Sequence, residues 1–272
     1  MITAEQFSGS LAASLREHRE DRAALLASLS ASFQADPRIR AAWLWGSFGR
    51  NEADDLSDLD PWLIVSDEAA PQMGPSLGQY IYNTGSLISA GEDPSNAPPG
   101  GGSYGSLHEG RHGLLHVDCY WQPLSAQVSV PEHAVLFDRL NEHAEQSLVS
   151  PLSTAHKPSI TGPIEDGLGF AWLMFSIAAK YLARDPSSDM ALLLYPKPGL
   201  ENALRLLGGG QTVTPLDWSV PEIPLDKLAR LRALVETTGR ATEIANAQGI
   251  SVSLRYASCL LRYLDMAEGI LK

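Results

Sequence analysis

"AAWLWGSFGRNEADDLSDLDPWLIV", residues 41–65, is the stretch whose reading decides the fold. Two apolar runs, 41–45 and 62–65, enclose five carboxylates: Glu52, Asp54, Asp55, Asp58 and Asp60. Like charges repel, and taking a carboxylate out of water is costly unless something positive meets it. The segment is therefore either a solvated loop or the seat of a cation.

The flanking runs are short, apolar and rich in aromatic residues, which predicts two buried strands. Gly46-Ser47 ends the first, and "FGRNEADD" can open a short helix. Backbone N–H groups at such a turn face whatever lies above it, and a glycine lets a phosphate approach closely. Asp58 and Asp60, two residues apart at the head of the second strand, share one face. Carboxylate pairs of this kind suit Mg²⁺, a hard ion held by oxygen ligands together with substrate phosphates. Asp54 and Asp55 are read as loop or capping residues.

A further carboxylate comes from "GLLHVDCYWQP", residues 113–123. There His116, Asp118 and Tyr120 alternate with apolar side chains. An Asp inside an otherwise apolar strand needs a partner, so Asp118 is the expected third ligand. His116 has two readings, a packed strand histidine or a participant in proton transfer. His108, His112 and His116 are four apart, but Gly110 and Gly113 make the segment a hairpin and argue against a histidine metal cluster.

Outward from this core, residues 20–35 carry Leu25, Leu26, Leu29 and Phe33 at helical spacing. From 71 to 105 the pattern weakens, and "GEDPSNAPPGGGSYG" reads as a long loop able to act as a substrate-facing lid. Its G-x-G-x-x-G and G-x-S-x-G matches follow two prolines instead of a strand, so neither a dinucleotide site nor a nucleophile elbow is expected. A linker is expected at 147–163. Helices are then expected at 164–184, at 188–208 with a break near Pro196 and Pro198, at 224–247 and at 252–270. The fold class is α+β: an N-terminal domain over 1–150 with a mixed sheet flanked by helices, and an all-helical domain over 151–272.

The 20 basic against 32 acidic residues leave a formal charge of −12. That argues against a long nucleic-acid partner and favours small, cationic ones. Cys119 and Cys259 lie far apart, outside any C-x-x-C pattern, so a disulfide framework or structural zinc is not expected. The N-terminus lacks signal-peptide character and no apolar run is long enough to span a bilayer, so a cytoplasmic protein is expected.

The spacing "WGSFGRNEADDLSDLD" followed by a distant strand Asp resembles the signature of the nucleotidyltransferase superfamily typified by DNA polymerase β. With its glycine-rich segment and helical second half, the chain is most similar to stand-alone bacterial aminoglycoside and lincosamide nucleotidyltransferases. The motif resemblance covers residues 41–66 and 112–121. It implies that Gly46 and Ser47 hold the triphosphate of ATP or another NTP, and that Asp58 and Asp60 bind two Mg²⁺ ions. It further implies that Asp118 binds one of the two and helps deprotonate the attacking hydroxyl, and that Arg50 stands near the phosphates. Lys180 either reaches the triphosphate, as a lysine does in some relatives, or is a solvated helix-end residue. Glu165 and Asp166 either suit the dipole of their helix or face a cationic acceptor. Pro61 departs from the family, which has an apolar, ladder-forming residue there. The implied activity is transfer of a nucleoside monophosphate to a hydroxyl of a small acceptor, such as an aminoglycoside or similar antibiotic, with release of pyrophosphate. The alternative is a non-catalytic nucleotide-binding or antitoxin-type module of the same fold.

Overall fold

A short, largely buried apolar run makes residues 39–44 a strand, and that strand lies inside a mixed sheet. A computed structural model describes residues 4–92, 96–126, 130, 132–140, 163–187, 191–209, 216–219 and 221–272. Helix α1 spans Ala4–Ala35 and strand β1 Ile39–Leu44, followed by a single-turn helix α2, Gly46–Gly49. Then come β2 (Pro61–Val65), α3 (Met73–Asn83), β3 (Leu87–Glu92), β4 (Gly102–Gly110), β5 (Gly113–Pro123) and β6 (Ala134–Asp138). Four longer helices follow: α4 (Ile164–Arg184), α5 (Lys197–Leu207), α6 (Pro224–Ala247) and α7 (Arg255–Leu271). The protein is thus mixed α/β, with a six-stranded sheet and a helical C-terminal region.

Contacts divide the chain into two units. One contains the described residues of 19–108 and 115–156; the other contains those of 1–18, 109–114 and 157–272. Helix α1 and the β4–β5 hairpin each contribute to both.

The sheet runs β3-β4-β5-β2-β1-β6. β1 pairs antiparallel with β2 and with β6, whereas β2 and β5 are parallel. Period-two alternation sorts the side chains, interrupted in β1 by a register shift between Ile39 and Ala41. Ile39, Ala42, Leu63, Val65, Val117, Cys119 and Trp121 face one side, packed against Leu25, Leu29 and Phe33 of α1 and Met73, Leu77 and Ile81 of α3. Ala41, Trp43, Trp62, Ile64 and Tyr120 face the other. Pro61 opens β2 opposite Leu44, the one strand position where a missing N–H is easily tolerated.

Several elements differ from the sequence expectation. The weak region 71–105 contains α3, β3 and the start of β4. In α3 the sequence "MGPSLGQYIYN" hides a helical stripe, because Gly74, Pro75 and Gly78 interrupt it while Met73, Leu77 and Ile81 still recur four apart and are buried. The expected lid is correspondingly shortened: β3 extends to Glu92 and pairs with β4 from Tyr104. Its glycines have a packing role. A Cβ at Gly101 would overlap the Trp121 carbonyl oxygen, and one at Gly102 the Trp121 indole. The linker expected at 147–163 lies outside the described residues except for residue 163.

In the second unit, α4 and α6 run over the expected spans, and the break before α5 falls at Pro196. α6 begins at Pro224, whose fixed φ suits a first helical residue. Trp172 of α4 is fully buried, stacks on Tyr256 of α7 with centroids 5.5 Å apart, and donates from Nε1 to Thr242 Oγ1 of α6 at 3.3 Å. α4 and α5 meet where Gly167 lies against Gly199; a Cβ at Gly167 would stand 2.6 Å from the Gly199 carbonyl oxygen. No helix among the described residues is long and apolar enough to cross a membrane.

Candidate active site

The register of three strands assembles the site. Leu59 bridges Val117, with its N–H donating to His116 O at 3.0 Å and its carbonyl accepting from Asp118 N at 2.9 Å. Further along the same parallel pair, Trp62 stands opposite Tyr120. Because the register is unbroken, Asp58 is level with His116, Asp60 with Asp118, and Trp62 with Tyr120. All six side chains share the sheet face opposite α1 and α3. On the other flank, Trp45 N–H donates to Asp60 O at 2.9 Å, which brings Gly46 alongside Asp60. Gly46, Asp58, Asp60 and Asp118 are therefore brought together where β1 ends and β2 begins, alongside the middle of β5.

Gly46 is required there twice over. Its φ of +64° is the left-handed region, and a Cβ would overlap Asp60 Oδ2. The glycine thus leaves room for the Asp60 carboxylate at the turn. Ser47 is the second residue of α2, and its carbonyl accepts from Glu52 N at 2.8 Å, which closes the chain back over the turn. Arg50, at the end of α2, pairs with Glu52 at 2.7 Å; that hydrogen bond raises its pKa, with smaller contributions from Glu132 and Asp60.

Two carboxylates opposite each other on neighbouring strands repel. His116 relieves one of them. Its side chain is only 9% exposed and lies between Asp58, 3.6 Å from Nδ1, and Asp118, 3.1 Å from Nε2. Burial alone would lower its pKa, but the Asp118 and Asp58 carboxylates outweigh that and raise it to about 10. Eight residues earlier on β4, His108 takes the opposite course. It is fully buried among hydroxyls, with Nδ1 3.1 Å from Ser86 Oγ and Nε2 3.0 Å from Ser106 Oγ. Burial lowers its pKa to about 4, with His116 adding to the effect. His112 pairs instead with Glu17 at 2.8 Å in the other unit, so the three histidines have three separate roles.

Beside the carboxylates lies an aromatic cluster that the motif reading did not anticipate. Trp62 and Tyr120 stack with centroids 5.1 Å apart, and Trp45 meets both edge-on. Each follows from alternation: Trp62 is two beyond Asp60, and Tyr120 two beyond Asp118. The other carboxylates of the opening stretch are loop-forming. Asp54 Oδ1 accepts from Leu56 N at 2.9 Å and from Ser57 Oγ at 3.0 Å, and Asp55 pairs with Arg19 at 3.2 Å. Lys180 is buried in α4 of the other unit with its Nζ 5.6 Å from the Tyr181 ring centroid. Glu165 and Asp166 occupy the first turn of that helix.

Asp58, Asp60 and Asp118 offer hard oxygen donors of the kind a divalent cation prefers. Among the described residues no group of three or more His, Cys, Asp or Glu side chains closes into a metal cage. Mg²⁺ does not require one, since it commonly takes one or two carboxylates and completes its shell with water and substrate phosphates. The donor set and the glycine-lined turn fit such an ion. No protein-family model matches the chain, and no curated protein matches it.

Two outcomes are expected. Gly46→Ala should cost about 1–3 kcal/mol in urea denaturation. Gly85→Ala should cost less: it shares the positive φ (+76°) but has nothing within 4 Å of the new Cβ, so it isolates backbone strain from the Asp60 clash. In NMR titrations of the metal-free protein, His116 should stay protonated past pH 8 and His108 neutral down to pH 5. Its raised pKa means that His116 stabilises the fold fully below 6.5, and that this stability is lost as pH rises through about 10. His108 has the reverse sign, its contribution being present above 6.5 and lost as pH falls through about 4. A His116 midpoint near 6.5 would contradict the ion-pair geometry.

Proposed function

We propose that the protein is a nucleotidyltransferase-fold enzyme that transfers a nucleoside monophosphate from an NTP, with ATP the leading donor, to a hydroxyl of a small acceptor. The observation that carries this reading is the junction where the Gly46 turn meets Asp58, Asp60 and Asp118. A turn that exposes backbone N–H groups suits a polyphosphate, and adjacent carboxylates suit the metal ions that accompany one.

In this reading Gly46 and Ser47 bind the phosphates through the backbone, with Arg50 contributing charge from the end of α2. Asp58 and Asp60 hold Mg²⁺, and Asp118 helps to hold a second ion. Bound Mg²⁺ supplies neutralisation of the phosphate charge that builds up in the transition state. The acceptor oxygen forms a bond to the α-phosphorus, the bond from that phosphorus to the bridging oxygen breaks, and pyrophosphate leaves. The proton of the acceptor hydroxyl passes to Asp118. Catalysis on this account is positioning and charge compensation. The acidic charge of the chain favours a cationic acceptor such as an aminoglycoside, with antibiotic resistance as the corresponding role. An NTP-dependent reaction and two buried, unbridged cysteines suit the cytoplasm.

One observation favours the second reading, a nucleotide-binding or regulatory module without turnover. His116 already places a positive charge between Asp58 and Asp118, where the transferase needs a metal ion. Pyrophosphate release separates the two. With ATP, Mg²⁺ and a panel of aminoglycosides and nonionic hydroxyl compounds, the transferase should release pyrophosphate and add a nucleoside monophosphate to one acceptor by mass. Asp60→Asn should lower that rate by roughly 100-fold or more. Tight nucleotide binding with no pyrophosphate from any acceptor would favour the regulatory module.

A further inference from the structure

Residues 51–57 carry three of the five carboxylates of the opening stretch, Glu52, Asp54 and Asp55, and lead directly into Asp58, yet no strand ladder holds this segment. Its own bonds are local: Leu56 N to Asp54 Oδ1, Ser57 N to Asp54 O at 3.3 Å, and Asp54 N to Ser57 Oγ at 2.9 Å. These close a turn on itself without fixing where the turn stands. The fixing comes from α1, where Arg19 makes an exposed pair with the Asp55 carboxylate and Arg22 reaches the backbone of the turn. Arg22 is only 9% exposed, and its Nη1 donates to three carbonyls of the turn: Asp54 O at 2.8 Å, Asp55 O at 3.3 Å and Ser57 O at 2.8 Å. The same guanidinium lies over the Phe48 ring, 5.1 Å from its centroid. Phe48 belongs to α2 and directly follows Ser47.

One cation therefore holds both sides of the candidate site. The Ser57 carbonyl belongs to the peptide unit that supplies Asp58 N, so the bond from Arg22 sets the plane from which Asp58 departs. The stacking on Phe48 fixes α2, and with it the Gly46–Ser47 turn. All of these residues lie in one unit of the chain. We infer that Arg22 is a positioning residue: it holds Asp58 in register with the phosphate-binding turn while contacting neither nucleotide nor metal itself. The inference rests on the transferase reading for the purpose of that register, whereas the register itself is a property of the protein alone. A guanidinium suits the task because it stays charged at any accessible pH, and its plane can stack on an aromatic ring while its edge donates.

The test uses the full chain with Arg22→Met, which keeps an unbranched apolar side chain on α1 but removes the guanidinium, and Arg22→Lys, which keeps a positive donor. Hydrogen exchange by mass spectrometry reads the register without a ligand. Arg22→Met should accelerate exchange over residues 46–60 by about tenfold or more, Arg22→Lys by less, and neither should alter exchange in α3. Binding of MnATP, measured by electron paramagnetic resonance, should weaken about tenfold in Arg22→Met and be largely restored in Arg22→Lys. Exchange over 46–60 within twofold of wild type in Arg22→Met would overturn the inference. So would unchanged MnATP affinity in that variant while Asp60→Asn loses binding. Absence of MnATP binding by the wild type would instead overturn the transferase reading, with exchange still deciding whether Arg22 holds the segment.

Discussion

The parallel pairing of β2 with β5 is the constraint on which the rest depends. It alone sets Asp60 level with Asp118 and Asp58 level with His116, from segments more than fifty residues apart in the sequence. A slip of one residue would turn every one of these side chains to the face packed by α1 and α3, and would bring Leu59 and Val117 out of the core. The buried apolar set on that face, Leu59, Leu63, Val65, Val117 and Cys119 among it, makes such a slip expensive. Core packing on one side of the sheet thus fixes the position of the carboxylates on the other.

The cost of that arrangement is electrostatic. Three carboxylates on two adjacent inner strands repel, and the fold answers with local cations and donors placed around them. His116 stands between Asp58 and Asp118, Arg50 pairs with Glu52 near Asp60, and Arg22 binds the backbone of the acidic turn. The question raised by the opening stretch, whether it is a solvated loop or the seat of a cation, has both answers. Asp54 and Asp55 shape a loop, whereas Asp58 and Asp60 stand at the head of a strand where a positive charge is already supplied by the protein. In the proposed transferase a divalent ion would compete with His116 for Asp58 and Asp118.

Much of this was legible in the sequence. Short apolar, aromatic runs identified β1 and β2, alternation identified β5, and the Asp in the middle of an apolar strand marked Asp118 as unusual. The long helices were readable because α4 carries a periodic apolar pattern and both α4 and α6 have a proline at their start. What was not legible has physical causes. α3 is punctuated by Gly74, Pro75 and Gly78, so propensity argued against a helix that tertiary burial of Met73, Leu77 and Ile81 supports. β3 and β6 lie at the sheet edges and are largely exposed, so neither shows the two-sided pattern of an inner strand. Gly101 and Gly102 looked like loop residues because their true reason, the close approach of Trp121, is a contact between distant segments. Arg22 sits on an ordinary helix face, and nothing in its neighbourhood in sequence announces the three carbonyls it binds.

The measurement that bears most directly on the central claim is a thermal-shift titration of wild type and Asp60→Asn with each NTP, with and without Mg²⁺. A ligand that binds only the folded protein raises its apparent stability by mass action, by about 2.7 kcal/mol at 100 times its Kd. The account predicts a shift with ATP that requires Mg²⁺ and is lost in Asp60→Asn. A shift that is independent of Mg²⁺, or one that persists in Asp60→Asn, would contradict it.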